Sequence, residues 1–435
     1  MAKTSFRIGI NLIILYLSLL LLDTQRTLPY TPATKKQARF KNMHDAHCVS
    51  AVRIEIALVR RTNMKVMLAN KLTDIINHLI NCPHPFAVFF YPGEKEPELV
   101  LQQKNAVCKL NSFSDLNNKE GFVFAPFYIS DDYPLIIIEP DIHVKGYQSI
   151  AGLEIAGSSG KPPAEQIQEV HFDIGKSDYI KLLNKSIDGI KAGELDKVII
   201  SRTISKNISE KTTTGDLFFR LKEKLDNAFV YLVSLPGAGI WLGGTPESLL
   251  TKTNGSYRTV SLAGTVPLNG AGLEIEWSAK MKTEQQIVTD FLANNLSSFQ
   301  IENYLQTGPV TECAGNVAHL KTIFEFSGQT IDERLIPFIE AIHPGPAICG
   351  FPKETAKEYI LNNEKHRREY YCGFLGNWKI ENDLRLFVNI RCMKILADRA
   401  IIYVGGGITS GSVPESEWEE TNHKAKLLLS VIKNN

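Results

Sequence analysis

The hydrophobic pattern of the chain becomes regular only after Met67. Six apolar residues then recur at the spacing of one helix face: Leu68, Leu72, Ile75, Ile76, Leu79 and Ile80. Two apolar runs at residues 86–91 and 98–102 flank a Pro-Gly turn, which predicts a pair of strands. Runs at residues 122–128 and 134–139 predict two further strands.

The second half of the chain is dominated by predicted strands. A polar stretch with glycine and proline at residues 156–165 predicts a linker, and an amphipathic helix is predicted at residues 177–192. Strands are predicted at residues 197–205, 230–235, 240–243, 248–253, 257–262, 373–379, 384–394 and 400–404. Helices are predicted at residues 275–299, 330–341 and 355–362. Hairpin-type strands with few helices between them indicate an α+β fold rather than an alternating parallel one.

Residues 1–66 do not follow this pattern. Lys3 and Arg7 precede a mostly apolar run at residues 8–22, which is short for a membrane-spanning helix and has the length of a signal-peptide core. No small-residue cleavage site follows it, and internal methionines such as Met43 allow a third interpretation, a start assigned too early. We therefore interpret residues 1–66 as an N-terminal extension, with a membrane tether as an alternative, and residues 67–435 as one large domain.

The amino-acid composition argues against several kinds of binding partner and metal site. Lys and Arg number 48 against 47 for Asp and Glu, a balance that argues against nucleic acid as a partner. The seven cysteines are scattered without a C-x-x-C pair, which argues against a zinc site and a disulfide framework. Free thiols are typical of a reducing compartment, so a cytoplasmic location is expected.

The segment at residues 400–424 carries the densest candidate chemistry. Its pattern predicts a strand, a glycine turn at Gly405, Gly406 and Gly407, and a helix that begins at Pro414. Glu417, Glu420 and Lys424 would share one face of that helix. Such a face can hold a divalent cation together with an oxygen-rich ligand, although a solvated, salt-bridged surface has the same spacing.

Two further glutamates occupy unusual positions. Glu284 lies on the same helical stripe as Met281, Val288 and Phe291, so its carboxylate needs a cation or a hydrogen-bond donor. Glu247 follows a tight turn and precedes two leucines, and burial there would raise its pKa as an acid catalyst requires. Both residues have simpler interpretations, an edge glutamate and a turn glutamate respectively.

Two cations and a histidine complete the candidate set. Lys197 shares a strand face with Ile199 and Ser201, where desolvation can turn an ammonium into a base, or where the lysine only protects a sheet edge. Arg391 lies in an apolar run that we interpret as strand, so its guanidinium must find a carboxylate, either from the protein or from a ligand. His319 is a lone histidine, for which a satisfied core position is the default interpretation.

Taken together, these segments resemble the chorismate-utilising enzymes, namely the isochorismate, salicylate, anthranilate and aminodeoxychorismate synthases. The resemblance covers about residues 196–426 and rests on ten ordered segments: DKVIISR, GGTPESLL, SLAGTVP, SAKMKTEQQIV, VAHL, IHPGPAICGFPKETA, YYCGFLGNW, VNIRCM, YVGGGIT and PESEWEETNHK. It implies one large α+β domain with two antiparallel sheets packed between helices, which binds Mg²⁺ and chorismate.

The resemblance also implies roles for individual residues. Lys197 matches the general base on water, and Glu247 matches the general acid that protonates the departing C4 hydroxyl. The residues that match magnesium ligands are Glu284, Glu417 and Glu420. The residues that match groups around the substrate are Gly264, Thr265, His319, Tyr371, Arg391, Gly405, Gly406, Gly407 and Lys424.

Two positions bear on the reaction that the resemblance implies. Lys197 is typically missing from anthranilate synthases, and Ala263 stands where aminodeoxychorismate synthases carry a nucleophilic lysine. The resemblance therefore implies an isochorismate synthase that acts as a monomer without an amidotransferase subunit, in menaquinone or siderophore biosynthesis. A salicylate synthase, which adds pyruvate elimination, is the alternative, and a non-catalytic chorismate-binding scaffold is a hypothesis of another class. Met281, Val266 and Gly345 depart from the residues usual in the family.

Overall fold

The computed structural model describes Met64 and residues 66–154, 173–267, 275–314, 317–328 and 331–433. The predicted linker at residues 156–165 and the apolar run at residues 8–22 lie outside the described residues. Met67–Asn435 form one compact unit. Within the described ranges, every helix is too short or too polar to cross a bilayer.

The described residues contain eight α-helices and eighteen strands. The helices are α1 (66–80), α2 (Tyr147–Ala151), α3 (Lys176–Lys191), α4 (Thr214–Lys224), α5 (Ala279–Ser298), α6 (Leu335–Ile342), α7 (Lys353–Asn363) and α8 (Pro414–Ile432). The strands are β1 (Phe86–Phe90), β2 (Glu98–Leu101), β3 (Cys108–Leu110), β4 (Gly121–Ala125), β5 (Leu135–Ile138), β6 (Ile142–Lys145), β7 (Lys197–Asn207), β8 (Phe229–Leu235), β9 (Gly239–Thr245), β10 (Ser248–Thr253), β11 (Ser256–Pro267), β12 (Tyr304–Ala314), β13 (Val317–Ser327), β14 (Gly350–Phe351), β15 (Phe374–Trp378), β16 (Leu384–Val388), β17 (Cys392–Ile395) and β18 (Arg399–Ile408).

These strands form two nine-stranded antiparallel sheets. The first sheet has the order β14-β7-β18-β17-β9-β8-β1-β2-β6, and the second has the order β12-β13-β11-β10-β16-β15-β4-β5-β3. The predicted α+β class and the two large antiparallel sheets are therefore confirmed. Neither α4 nor the β12–β13 hairpin was predicted. Most of β12 is exposed and it contains Pro309, so it lacks the alternating pattern of a half-buried strand.

The two sheets pack face to face through aromatic side chains. Phe229 of β8 stacks on Phe387 of β16 with ring centroids 4.2 Å apart, and Phe124 of β4 lies 6.0 Å from Trp241 of β9. Because these rings come from both sheets, they form one shared hydrophobic core. This core fixes the distance between the two sheets. It therefore also fixes the positions of the residues that lie between the ends of the sheets.

Helices cover the outer face of the first sheet. Leu72 of α1, Leu217 of α4 and Leu428 of α8 are buried in a second apolar cluster with Leu232 of β8 and Met393 of β17. Burial on both faces of the first sheet explains why its central strands read as continuous apolar runs.

Two of the connections by which the chain passes between the sheets are short and lie next to each other. One connection leads from β9 to β10 through Glu247, and the other leads from β16 to β17 through Arg391. The Gly244 N–H donates to the Arg391 carbonyl at 3.2 Å, and the Val388 N–H donates to the Glu247 carbonyl at 2.9 Å. The two crossings therefore hold each other in place.

The predicted single strand at residues 384–394 was wrong. It is two strands, β16 and β17, that belong to different sheets. Asn389 lies between them, and its buried side chain donates to the Tyr370 carbonyl at 2.8 Å and accepts from the Tyr231 hydroxyl. Arg391 then adopts a left-handed conformation with φ 51°. The apolar run at residues 384–394 carries no sign that the chain leaves one sheet and enters the other within it.

The predicted glycine turn at residues 405–407 was also wrong. Gly405, Gly406 and Gly407 continue β18 and pair with Ser201, Ile200 and Ile199 of β7. The turn comes later, and α8 begins at Pro414 as predicted. Glycine disfavours a strand locally, so only the neighbouring β7 explains why these residues are extended.

Candidate active site

A cavity opens where β7 and β18 meet the two crossings. The empty space within it is about 890 Å³, a figure that includes open solvent at the mouth. Many of the residues singled out in the sequence line it together: Lys197, Glu247, Gly264, Glu284, His319, Tyr371, Arg391, Gly405, Gly406, Gly407, Glu420 and Lys424. They come from both sheets and two helices, so the fold brings distant segments to one place.

Among the predicted site residues whose side chains the structure describes, Glu417 stands outside this lining. Glu417 is buried behind the glycine strand, where its Oε2 would lie 3.6 Å from a Cβ placed on Gly406. Thr265 pairs with His319 across β11 and β13, but its side chain lies outside what the structure describes.

Lys197 is the first residue of β7 and is almost fully buried. Burial lowers the pKa of its ammonium below the usual value, and Glu284 opposes this shift. The nearby positive charge of Lys424 lowers the pKa further. The neutral amine, which is the form that can accept a proton, is therefore favoured.

Glu247 lies on the first crossing, and its carboxyl is buried. Burial raises its pKa to about 7, although the positive charges of Arg391 and Lys197 favour ionisation. The cavity thus holds an amine and a carboxyl whose pKa values are both shifted in the direction that favours the neutral form. Such a pair can accept one proton and donate another in a single reaction.

Arg391 and His319 form a hydrogen-bonded chain along the cavity wall. Arg391 Nη2 lies 2.8 Å from His319 Nε2, and His319 Nδ1 lies 3.0 Å from the Gly264 carbonyl oxygen. The protein partner found for the guanidinium is thus an imidazole, and the prediction that it binds the carboxylate of a ligand stays open. Lys424 adds a second cation, which donates to the Gly405 carbonyl at 2.9 Å.

Two of the candidate metal ligands are paired with lysines. Glu417 accepts from Lys280, and Lys424 lies 2.8 Å from Glu420. Burial raises the pKa of the Glu417 carboxyl in spite of the charge of Lys280. At Glu420 burial acts in the same direction, but Lys424 outweighs it and the pKa is lowered.

The donor set can be compared with the needs of a magnesium ion. Glu284, Glu417 and Glu420 supply carboxylate oxygens, the donors that Mg²⁺ prefers. A Cβ on Gly407 would lie 2.7 Å from Glu284 Oε1, so the missing side chain leaves room for this carboxylate. Within the described part of the chain, no three His, Cys, Asp or Glu side chains are grouped to hold an ion. The donors therefore fit Mg²⁺ in kind, and a bound ion would compete with the two lysines for their oxygens.

Several residues that shape the site were not predicted. Lys280 lies in SAKMKTEQQIV four residues before Glu284, a helical spacing that could have indicated a shared face. Tyr403 stacks on Tyr371 with centroids 5.4 Å apart and donates its hydroxyl to Glu369 at 2.8 Å. These contacts join segments far apart in the chain, for which the sequence carries no local signal.

Known proteins resemble this chain in sequence over more than half of its length. Isochorismate synthase EntC of Escherichia coli (strain K12) is 29% identical over 246 residues, a match that covers 55% of this chain and 63% of EntC. Isochorismate synthase DhbC of Bacillus subtilis (strain 168) is 25% identical over 268 residues, which covers 59% of this chain and 67% of DhbC. The chain thus matches less than two thirds of the length of EntC.

Solved structures agree on the fold. The structure of MenF, the menaquinone-specific isochorismate synthase of Escherichia coli, superposes with a TM-score of 0.65 at 20% identity, over 80% of this chain and 89% of MenF. Anthranilate synthase component I of Streptococcus pneumoniae TIGR4 gives a TM-score of 0.58 at 18% identity, over 80% of this chain and 90% of that one. The profile of the chorismate binding enzymes matches residues 142–430, well over half of the chain. The chain therefore belongs to the chorismate binding enzyme family.

Proposed function

We propose that this protein is an isochorismate synthase, which converts chorismate reversibly to isochorismate. One observation carries the proposal: Lys197 and Glu247 face the same cavity, and burial shifts both of their pKa values toward the neutral forms. A reaction that adds water at one carbon and releases water at another needs one base and one acid. The relatives named as isochorismate synthases, EntC and DhbC, support this choice of reaction.

Each group has one task in the proposed reaction. Neutral Lys197 accepts a proton from the water whose oxygen bonds to C2, while the ring double bonds shift. Protonated Glu247 donates its proton to the C4 hydroxyl, which leaves as water. The atoms balance, since one water enters and one departs, and the reverse reaction uses the same two groups in exchanged roles.

Two cationic side chains can bind the negative charges of the substrate. Chorismate is a dianion, and Arg391 and Lys424 line the cavity as positively charged donors for its carboxylates. Mg²⁺ would be held by Glu284, Glu417 and Glu420, and when bound it would neutralise substrate carboxylate charge. Ala263 lies in the wall with an inert side chain, so we propose no covalent step and no amidotransferase partner. We also propose that the protein acts as a monomer.

The test is a product assay. The purified full-length protein is incubated with chorismate and MgCl₂, and products are identified by chromatography and mass spectrometry, with isochorismate as substrate in a parallel reaction. We expect both directions to reach the same mixture of chorismate and isochorismate. Salicylate and pyruvate as the main products would instead identify a salicylate synthase. Unchanged chorismate, bound but not converted, would identify a non-catalytic chorismate-binding protein.

A further inference from the structure

Among the residues that the structure describes, no strand pairs with the outer edge of β7 beyond Val198. On its inner side β7 pairs with β18 along its length. On its outer side β14 pairs only with Lys197 and Val198, and the Ile199 N–H then donates to the Cys349 carbonyl at 2.8 Å. The next backbone groups on this edge, the Ile199 carbonyl and the Ser201 N–H, need other partners because they are buried.

A buried pair of side chains supplies those partners. Arg368 Nη2 donates to the Ile199 carbonyl at 2.7 Å. Glu364 Oε1 accepts from the Ser201 N–H at 2.7 Å and from the Ser201 hydroxyl at 2.9 Å. A neighbouring strand would offer one donor and one acceptor at these same two groups. Arg368 and Glu364 thus replace a strand with a guanidinium and a carboxylate.

The pair is rigid and charged. Arg368 Nε and Nη2 contact the two oxygens of Glu364 at 2.8 Å and 2.7 Å, a bidentate arrangement, and both side chains are at most 3% exposed. Burial alone would raise the pKa of the Glu364 carboxyl, but Arg368 outweighs it and the pKa is lowered. Arg368 Nη1 also donates to the Ile348 carbonyl at 2.8 Å. Ile199 and Ile348 both line the cavity, so one guanidinium joins two parts of its wall.

We propose that Arg368 and Glu364 are a positioning pair for Lys197. They hold the edge of β7 at residues 199–201 and so fix Lys197, whose Cε would lie 3.1 Å from a Cβ placed on Gly407. This inference rests on the proposed role of Lys197 as the base. A displacement of a catalytic group by about 1 Å can slow a reaction roughly 100-fold. Removal of the pair should therefore lower kcat more than it weakens substrate binding.

The experiment compares R368A, R368K and E364Q with E98Q. Glu98 is a matched control because it is a buried carboxylate paired with His143 at 2.9 Å on β2, at the opposite end of the same sheet. For R368A we expect kcat to fall roughly 100-fold while KM for chorismate changes only a few-fold. R368K should regain part of kcat, and E98Q should keep it within about twofold. An equal fall for E98Q would overturn the proposal.

Chemical rescue separates positioning from stability. Millimolar guanidinium chloride can occupy the space left in R368A and should restore part of its kcat, whereas in a variant that is only less stable so little denaturant leaves the activity unchanged. A loss of activity in R368A that guanidinium does not reverse would overturn the proposal.

A readout without turnover keeps the proposal independent of the proposed function. Hydrogen exchange followed by mass spectrometry should show faster exchange of residues 197–203 in R368A and E364Q, and no change there in E98Q. An inactive wild-type protein would refute the proposed function while leaving this result valid. Unchanged exchange in residues 197–203 would refute the positioning role in either case.

Discussion

Arg391 determines which nitrogen of His319 carries the proton. A guanidinium only donates hydrogen bonds, so His319 Nε2, 2.8 Å from Arg391 Nη2, must be the acceptor. The proton is then on Nδ1, which donates to the Gly264 carbonyl at 3.0 Å. Burial and the charge of Arg391 lower the pKa of His319 to about 3, so the ring is neutral. His319 holds Arg391 in place and is not a proton carrier near neutral pH.

Replacement of His319 should therefore affect binding more than proton transfer. In H319L the guanidinium loses its acceptor, and we expect KM for chorismate to rise roughly 10- to 100-fold. H319Q retains an acceptor and should lose less. Steady-state kinetics across the pH range provide the measurement. A pH limb near neutrality that disappears in H319Q would show that His319 does carry a proton.

Removal of the Lys197 amine should greatly lower kcat and leave chorismate binding nearly unchanged. We expect K197A to lose roughly 10²- to 10⁴-fold in kcat, because the attacking water loses its base, while calorimetry shows a chorismate Kd within a few-fold of wild type. Lys206 is exposed at the far end of the same strand, so K206A is the matched control and should remain active. Turnover near the wild-type rate in K197A would refute the base assignment.

The pH dependence of kcat/KM should report Lys197 and Glu247. The carboxyl must be protonated to act as acid, so activity should fall as pH rises through about 7, the pKa of Glu247. Lys197 must be neutral to act as base, so activity should fall again on the acid side. E247D, which keeps a carboxyl of different reach, should shift the alkaline limb. An alkaline limb at the same pH in wild type and E247D would assign it to another group.

Ionisation of Glu247 should also lower the free energy of unfolding at alkaline pH. Its pKa is raised from 4.5 to about 7 in the folded state, so the folded protein holds this proton more tightly. The resulting stability is fully present below 4.5 and is lost as pH rises through about 7. E247Q cannot ionise and should exceed wild type by at most about 3 kcal/mol in free energy of unfolding near pH 8. Urea unfolding of both proteins near pH 4 and pH 8 provides the measurement, and a difference independent of pH would contradict the shift.

The glutamates near the glycine strand should determine magnesium binding. Because E284A and E420A each remove carboxylate oxygens, we expect both to lose Mg²⁺ binding in calorimetric titrations with MgCl₂ and to lose Mg²⁺-dependent activity. Glu415 lies exposed in the first turn of the same helix as Glu420, so E415A is the control. Magnesium titrations of E284A and E420A that match wild type would remove both residues from the metal site.

Local patterns predicted what depends on a few neighbouring residues. Proline at the first turn and the spacing of Glu417, Glu420 and Lys424 predicted α8, because helix periodicity acts within one or two turns. Alternation in β7 likewise placed Lys197 and Ile199 on one face, and both line the cavity. The ordered segments between residues 196 and 426 indicated the family, which the match to residues 142–430 confirms.

Only the tertiary structure decided how these elements meet. The switch between sheets at Asn389 and Arg391, and the extension of β18 through three glycines, depend on strands far away in the chain. The pairing of Lys280 with Glu417 joins residues 137 apart, and Arg368 reaches β7 across 169 residues. Sequence by itself determined the elements and the chemical types of the site residues, because those follow from local spacing. The partner of each buried charge was decided by packing, since burial makes an unpaired charge costly and the nearest partner in space need not be near in sequence.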